Sequence, residues 1–219
     1  MPLEIYAIVV LAFMFFGAYI IGRHWNYRIQ KNIWKDFSEE IKPYCRSVSF
    51  KGLGPSGFKV GCRIRKKSPL RKLEISAILL DREFLLHYLF SKYKKQYDRI
   101  IVKSNFEDSP NFSLEVVPKG TKMSKKALEY LTQFSEVKLR RISENFLVKT
   151  SKPSQVRKLF SDKSFLSKFL QLNTHIKRLS ISKKEPHLLL VCTMGENVLH
   201  LLLNLILQCG QSVSAIMEK

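Results

Sequence analysis

Acidic residues are scarce in this chain: 18 Asp and Glu stand against 38 Lys and Arg. Before position 5 there is no basic residue, and between Ile5 and Gly22 there is no charge of either sign. Catalytic signatures are missing too. The five histidines, His24, His87, His175, His187 and His200, stand apart, with no H-E-x-x-H pattern and no Cys/His spacing that would close around a metal. There is no G-x-S-x-G elbow. The glycine-rich piece Gly52–Gly57 lacks the Lys-Ser/Thr of a phosphate loop and precedes a strand pattern, so it reads as a turn. Asp81 and Glu83 flank Arg82 at the mouth of a helix, where carboxylates cap and stay solvated. No catalytic residue, cofactor, metal or small-molecule substrate is therefore expected; an enzyme with a site assembled from scattered residues is the weakest of three readings.

What is present begins with Ile5–Gly22, IYAIVVLAFMFFGAYIIG. As a helix these 18 residues span roughly 27 Å, close to a hydrocarbon core of about 30 Å. Ile5, Phe13, Phe16 and Ile21 would face lipid, and Trp25 would settle at the headgroups. The competing reading is a cleaved secretory signal. Against it stand the missing N-terminal Lys or Arg, the length of the run and the lack of a small-x-small cleavage site. Arg23, Arg28, Lys31 and Lys35 follow the run, which places the N-terminus outside or in a lumen and the rest in the cytoplasm. The expected membrane is the endoplasmic reticulum or a prokaryotic plasma membrane, crossed once.

Residues 1–22 thus form an anchor. In residues 23–44, Trp25, Ile29, Ile33, Phe37 and Ile41 recur every four positions with polar residues between, and Pro43 closes the pattern. This amphipathic helix either packs on a globular domain or lies on the bilayer; Asp36, Glu39 and Glu40 favour packing. Residues 45–219 form the domain, and the part beyond the anchor carries about +21 charges, which calls for a polyanionic neighbour. The four cysteines, Cys45, Cys62, Cys192 and Cys209, sit in apolar or strand-like settings, and in a cytoplasmic domain are expected to be free buried thiols.

Within the domain, Phe58, Val60, Cys62 and Ile64 alternate with Lys59, Gly61, Arg63 and Arg65, giving a strand with one apolar and one basic face. A second strand runs through Leu73–Leu79 across a Lys66–Pro69 turn, and a helix over Glu83–Tyr93 buries Phe84, Leu85, Tyr88 and Leu89. Arg99–Phe106 and Phe112–Val117 read as a hairpin, then a helix capped by Ser124 runs through Leu128, Leu131 and Phe134. Val137–Ile142 pairs with Phe146–Lys149, helical stretches occupy Ser154–Leu170, and Ile176–Ser182 pairs with His187–Cys192. A long helix follows from about Glu196 to Met217, and its uncharged Val198–Ile216 reads as a core helix, with a membrane segment as the alternative. Strand, strand and helix recur about every 40 residues. The fold class is α+β, with antiparallel hairpins backed by helices.

Two basic clusters are the candidate polyanion site: Arg63, Arg65, Lys66, Lys67, Arg71 and Lys72 around the first hairpin turn, and Lys119, Lys122, Lys125 and Lys126 at a helix start. Lysines at a helix N-terminus oppose its dipole, so local stability does not explain them. Ring-forming residues are scarce beside them, which favours phosphate contact over base stacking.

The span running into an aromatic-ended helix (Tyr19-Ile-Ile-Gly-Arg … Ile33-Trp-Lys-Asp-Phe37), the Gly61-Cys-Arg63 strand, the Thr174-His-Ile-Lys-Arg178 strand start and the Leu188–Val191 strand before a long helix resemble the calumin family. The resemblance implies a short prokaryotic, archaeal-like member of a family of multipass-translocon subunits that contact ribosomes and assist membrane-protein insertion. Its partners would be the bilayer, ribosomal RNA, the protein-translocation channel and hydrophobic transmembrane clients, in a chaperone-like role. The family's long basic coiled coil is not found through Lys219, so ribosome contact is expected to run through the globular domain. The alternative is a membrane-tethered basic module for anionic lipid or nucleic acid.

Overall fold

A computed structural model describes residues 3–65, 68–195 and 197–217, with the side chains of residues 3, 126–128 and 130 outside that description. Lys66, Lys67 and Glu196, and the side chains of Lys126 and Leu128, therefore lie outside the described part.

The apolar run and the amphipathic pattern after it form one unbroken helix, α1 (Leu3–Ile41). No proline or polar break interrupts it until Lys42-Pro43, so the backbone ladder continues from one pattern into the other. Its first half is exposed, with Phe13, Phe16 and Ile21 each more than 60% accessible, whereas Asn26, Phe37 and Ile41 are buried against the domain. The second half thus packs, as its acidic residues suggested.

The chain continues as β1 (Cys45–Gly52), β2 (Gly57–Ile64), β3 (Leu70–Ile78), α2 (Leu85–Tyr93), β4 (Arg99–Phe106), β5 (Leu114–Pro118), α3 (Lys122–Tyr130), β6 (Ser135–Glu136), β7 (Phe146–Thr150), α4 (Pro153–Ser161), α5 (Lys163–Gln171), β8 (Ile176–Ile181), β9 (Leu188–Thr193) and α6 (Val198–Met217). The strands form one sheet in the order β1-β2-β3-β4-β9-β8-β5-β7-β6, with every pairing antiparallel. Alternation sets its faces. Val60, Ile75, Val102, Leu190 and Leu179 point to a core covered by α4, α5, α6 and the second half of α1. On the opposite face, α3 packs over β5, and Leu131 meets Val117 and Leu147.

Several expectations need correction. The Arg99–Phe106 strand does not pair with the strand that follows it: β4 lies between β3 and β9, and β5 between β8 and β7. A proline-containing loop between two strand patterns suggested a hairpin, but the later β8–β9 hairpin inserts between them. The strand, strand, helix order does recur along the chain, but its β4–β5 unit is not a paired hairpin. Residues 137–142 form irregular chain and a turn rather than a strand, and it is Ser135–Glu136 that pairs with β7 on this side. β1 went unread because its exposed positions, Val48 and Phe50 included, hide the alternation of an edge strand. The cap of α3 is Thr121, whose Oγ1 accepts from Ser124 N at 3.1 Å, while Ser124 itself is buried. The helix over 83–93 starts later, at Leu85, and Phe84 and Leu89 are exposed rather than inside.

Cysteine pairing also differs. Cys45 and Cys62 form a disulfide, with Cα atoms 5.7 Å apart on adjacent strands β1 and β2. Without β1, nothing in the sequence sets Cys45 beside Cys62. Cys192 and Cys209 are free and buried as expected, and burial pushes both thiols up to about 12.

Among the described residues, two helices are long and apolar enough to cross a membrane by length and composition, and burial separates them: 6% of the most apolar window of α1 is buried, against 44% for α6. Leu202, Leu205, Ile206, Cys209 and Val213 of α6 belong to the core. Its His200 and Asn204 are partnered, with Asn204 and His200 2.9 Å apart and His200 2.9 Å from Glu40 of α1.

Two polar joints hold the helices. Asp162 caps α5 by accepting from Ser164 N at 2.9 Å, and it also accepts from Ser212 Oγ and Gln208 Nε2 of α6. At the other joint, Asn26 Nδ2 donates to Leu80 O at 2.9 Å, and Arg82 Nη1 donates to Asn26 Oδ1 at 2.8 Å. Arg82 Nη2 meets Asp98 Oδ2 at 2.6 Å, and Asp98 Oδ1 accepts from Leu80 N at 2.8 Å. Gly22 lies against this joint, and a Cβ there would fall 2.0 Å from Arg82 O. Only glycine allows the helix this close.

Asp98→Ala strands the Arg82 cation in a buried site, so unfolding of the full chain in detergent should become easier by about 3 kcal/mol; a change below about 0.5 kcal/mol, the scale of surface substitutions, would refute the clamp. Asp162→Ala should cost about 1 kcal/mol at neutral pH as a lost cap. Burial raises the Asp162 carboxyl, but the hydrogen bonds from Ser212, Ser164, Phe165 and Gln208 outweigh it and hold the group below its ordinary value. Its contribution is complete above the ordinary Asp value of about 3.9 and lost as pH falls through the lower folded value. The gap between wild type and variant should therefore close in acid, and a gap independent of pH would contradict the charged cap.

Candidate polyanion-binding surface

α1 gives the domain two ends. Asn26 touches Leu80 at the close of β3, and Gln30 Nε2 donates to Gly54 O and Pro55 O in the turn before β2. Farther along, Trp34 packs on Phe50 and Phe58, and beyond the helix Tyr44 O accepts from Arg65 N at 3.1 Å. The helix therefore runs alongside β2 and β3. The end where Gly22 enters, the near end, holds the 52–57 turn, Leu80 and Asp98. Nineteen residues of helix between Gly22 and Ile41, about 28 Å, separate it from the far end.

The first basic cluster lies at the far end. Arg63 and Lys72 are cross-strand partners on β2 and β3, on the sheet face opposite the core, and both are exposed. Arg65 follows β2, and Arg71 sits beside Lys72, both exposed. The strand pattern Phe58-x-Val60-x-Cys62 buries one face, so the alternate positions must project their charge to solvent. The same outward face carries exposed Lys59 and Lys103 as well as half-buried Glu74, which stands opposite Lys103.

The second cluster is not brought to the first. Lys119 follows β5, five strands from β2 in the sheet order, a lateral distance of about 24 Å. β5 runs towards the near end, so Lys119, Lys122 and Lys125 sit at the opposite end as well as the opposite side. Lys119 Nζ is already committed to Ser143 O. Lys122 and Lys125 are exposed in the first turn of α3.

The sheet order adds basic residues that the sequence did not join to the site. Lys183 and Lys184 lie in the β8–β9 turn, which closes at the far end, and are exposed. They stand more than 110 positions from Lys72 but about 15 Å across three strand spacings. Arg46 and Lys42 join from the chain beside Cys45, exposed at the same end. Glu107, Asp108 and Glu185 interrupt the positive surface there. The only sequence signal for Lys183 and Lys184 was the hairpin turn itself, which carries no information about which end of the sheet it closes.

The anchor residues Ile5, Phe13, Phe16 and Ile21 are all exposed along the first half of α1. Trp25 is half exposed; its ring meets Tyr88 at 6.4 Å between centroids and lies under the Arg82 guanidinium at 5.4 Å.

No protein-family model matches the sequence, and no curated protein matches it. Among solved structures the chain is similar to the crystal structure of the mycobacterial trehalose monomycolate transport factor A, TtfA, with 9% identity and a TM-score of 0.41 over 73% of this chain and 70% of that one, too slight a likeness to define either fold or function.

Proposed function

We propose that the protein is a membrane-anchored adaptor whose basic far end binds a polyanion in the aqueous phase, with ribosomal RNA beside a translocation channel as the partner. The observation that carries this is the separation of Arg63, Arg65, Arg71 and Lys72 from the entry point of α1 by about 28 Å of continuous helix. If Ile5–Gly22 spans a bilayer, this cluster points away from it, beyond a Debye length of about 8 Å, and cannot serve as a contact to the same membrane. A phosphate-rich particle approaching from solution meets it first. The basic flank Arg23–Lys35 supports the cytoplasm as that solution, where ribosomes would assist insertion of multipass proteins. No described feature of the domain supplies a groove for base stacking, so recognition rests on phosphates.

A second reading is favoured by one observation, the Cys45–Cys62 disulfide. Disulfides persist in oxidising compartments. On that side of a membrane the same far end would meet an apposed anionic lipid surface, and the protein would be a tethered lipid-binding module.

Charge reversal at Arg63, Arg65, Arg71 and Lys72 tests the first reading. All four are exposed, so stability should change by no more than about 0.5 kcal/mol. Ribosome co-sedimentation should weaken steeply with salt for the wild type, and the logarithmic slope should fall by about 3 in the variant. Ribosomes should also draw the protein from added anionic vesicles at physiological salt. Equal ribosome binding by the variant, or retention on vesicles, refutes ribosomal RNA as the partner. Protease added to sealed inside-out vesicles should digest the domain; protection would place it on the oxidising side and favour the second reading.

A further inference from the structure

α2 carries an apolar stripe that the domain does not cover. It stands in the near-end connection between β3 and β4, with Leu85, Tyr88 and Ser91 turned inward and Ser91 buried. Leu86, Leu89, Phe90 and Tyr93 follow the i, i+3, i+4, i+7 spacing of one helical face, and their exposures run from 53% to 85%. Phe84, 60% exposed, extends the stripe towards α1. A soluble domain gains nothing by presenting a row of large apolar residues to water.

The position of the stripe identifies what covers it. The Phe84 ring lies 6.5 Å from that of Tyr19, a residue inside the uncharged run, and Tyr88 meets Trp25 just beyond it. The stripe is thus continuous with the exposed apolar surface of α1, at the depth where that surface ends. Its C-terminal end is basic: Lys92, Lys94 and Lys95 are exposed, and Lys94 Nζ reaches back to 4.0 Å from the Phe90 ring. Apolar stems beneath ammonium heads are the pattern of a helix at a headgroup boundary. Of the nearby acids, Asp81 lies 2.9 Å from His87 Nδ1, and Glu83 is half-buried, its carboxyl raised chiefly by burial and then by Asp81.

We propose that α2 is an interfacial helix, lying in the headgroup layer of the bilayer that α1 crosses, with Leu86, Leu89, Phe90 and Tyr93 inserted among the acyl chains and the lysines on lipid phosphates. This rests on the reading of α1 as a span. A single helix would leave the tilt of the helix and its rigidly attached domain in the bilayer unset; a second contact fixes that tilt and holds the basic far end away from the surface.

The test uses the full chain in phosphatidylcholine–phosphatidylglycerol liposomes, with an environment-sensitive maleimide fluorophore placed by Leu86→Cys, Leu89→Cys, Phe13→Cys or Arg71→Cys. The native thiols stay silent, because Cys45 and Cys62 are bonded and Cys192 and Cys209 are buried. The labels at 86 and 89 should be quenched severalfold more by a shallow lipid-borne nitroxide than by aqueous iodide, consistent with a depth of about 5–10 Å. The label at 13 should respond to a deep nitroxide, and the label at 71 to iodide alone. If 86 and 89 behave like 71 while 13 stays deep, α2 faces water; the proposal fails and the span stands. If 86 and 89 resist both quenchers, protein covers the stripe, and the proposal fails again. A label at 13 open to iodide removes the span and this proposal together.

Discussion

Arg82 is a buried cation placed where an apolar helix meets a folded sheet. Its guanidinium is shared between Asp98, from the strand start across the α2 connection, and Asn26, from α1. Trp25 and Tyr88 close over it at 5.4 and 5.6 Å, contributing ring faces that favour a cation. Three segments far apart in sequence are thereby tied at one point, and each is oriented by the others. α1 can approach only because Gly22 has no side chain, and the chain leaves β3 through Leu80, whose N–H and C=O are both held by the joint. The direction in which the helix leaves the domain follows from this one arrangement.

From that joint the domain acquires its polarity. α1 runs along β2 and β3, and the antiparallel register then assigns every loop to one end or the other. The α2 connection falls at the near end with its apolar stripe, while the turn after Arg65 and the β8–β9 turn fall at the far end with exposed lysine and arginine. The α2 stripe and the Arg63–Lys72 cluster are separated by the length of the strands, although Lys92, Lys94 and Lys95 of α2, and Lys122 and Lys125 of α3, keep positive charge at the near end too. The proposed division between an oily boundary and a polyanion rests on that separation, which backbone pairing supplies.

The fold was legible where local pattern and long-range pairing agree. The alternation in Phe58–Ile64 survives because its partner across the turn, Leu73–Ala77, buries the same face. The β8–β9 hairpin was equally legible. Where a strand's partner comes from elsewhere in the chain, the reading failed: Arg99–Phe106 had the right bounds and the wrong neighbour, since β9 arrives more than 80 residues later. Composition gives the Glu83–Tyr93 helix an interior face of Phe84, Leu85, Tyr88 and Leu89, because large apolar residues ordinarily pack inward. Leu85 and Tyr88 do turn inward, but the neighbouring elements leave Phe84 and Leu89 exposed.

The uncharged run, its unbroken passage into an amphipathic helix, the excess of positive charge and the two-faced β2 strand are all readable in the order of the residues. These are properties of neighbouring residues, expressed through helical and strand periodicity, and need no partner to be read. That Cys45 faces Cys62, that Lys183 joins the end occupied by Lys72, and that Lys119 does not, emerges with the folded sheet. Those relations depend on strand order and register, which are fixed by which apolar faces bury each other across tens of residues. A chain written in one dimension carries the faces but not their pairing.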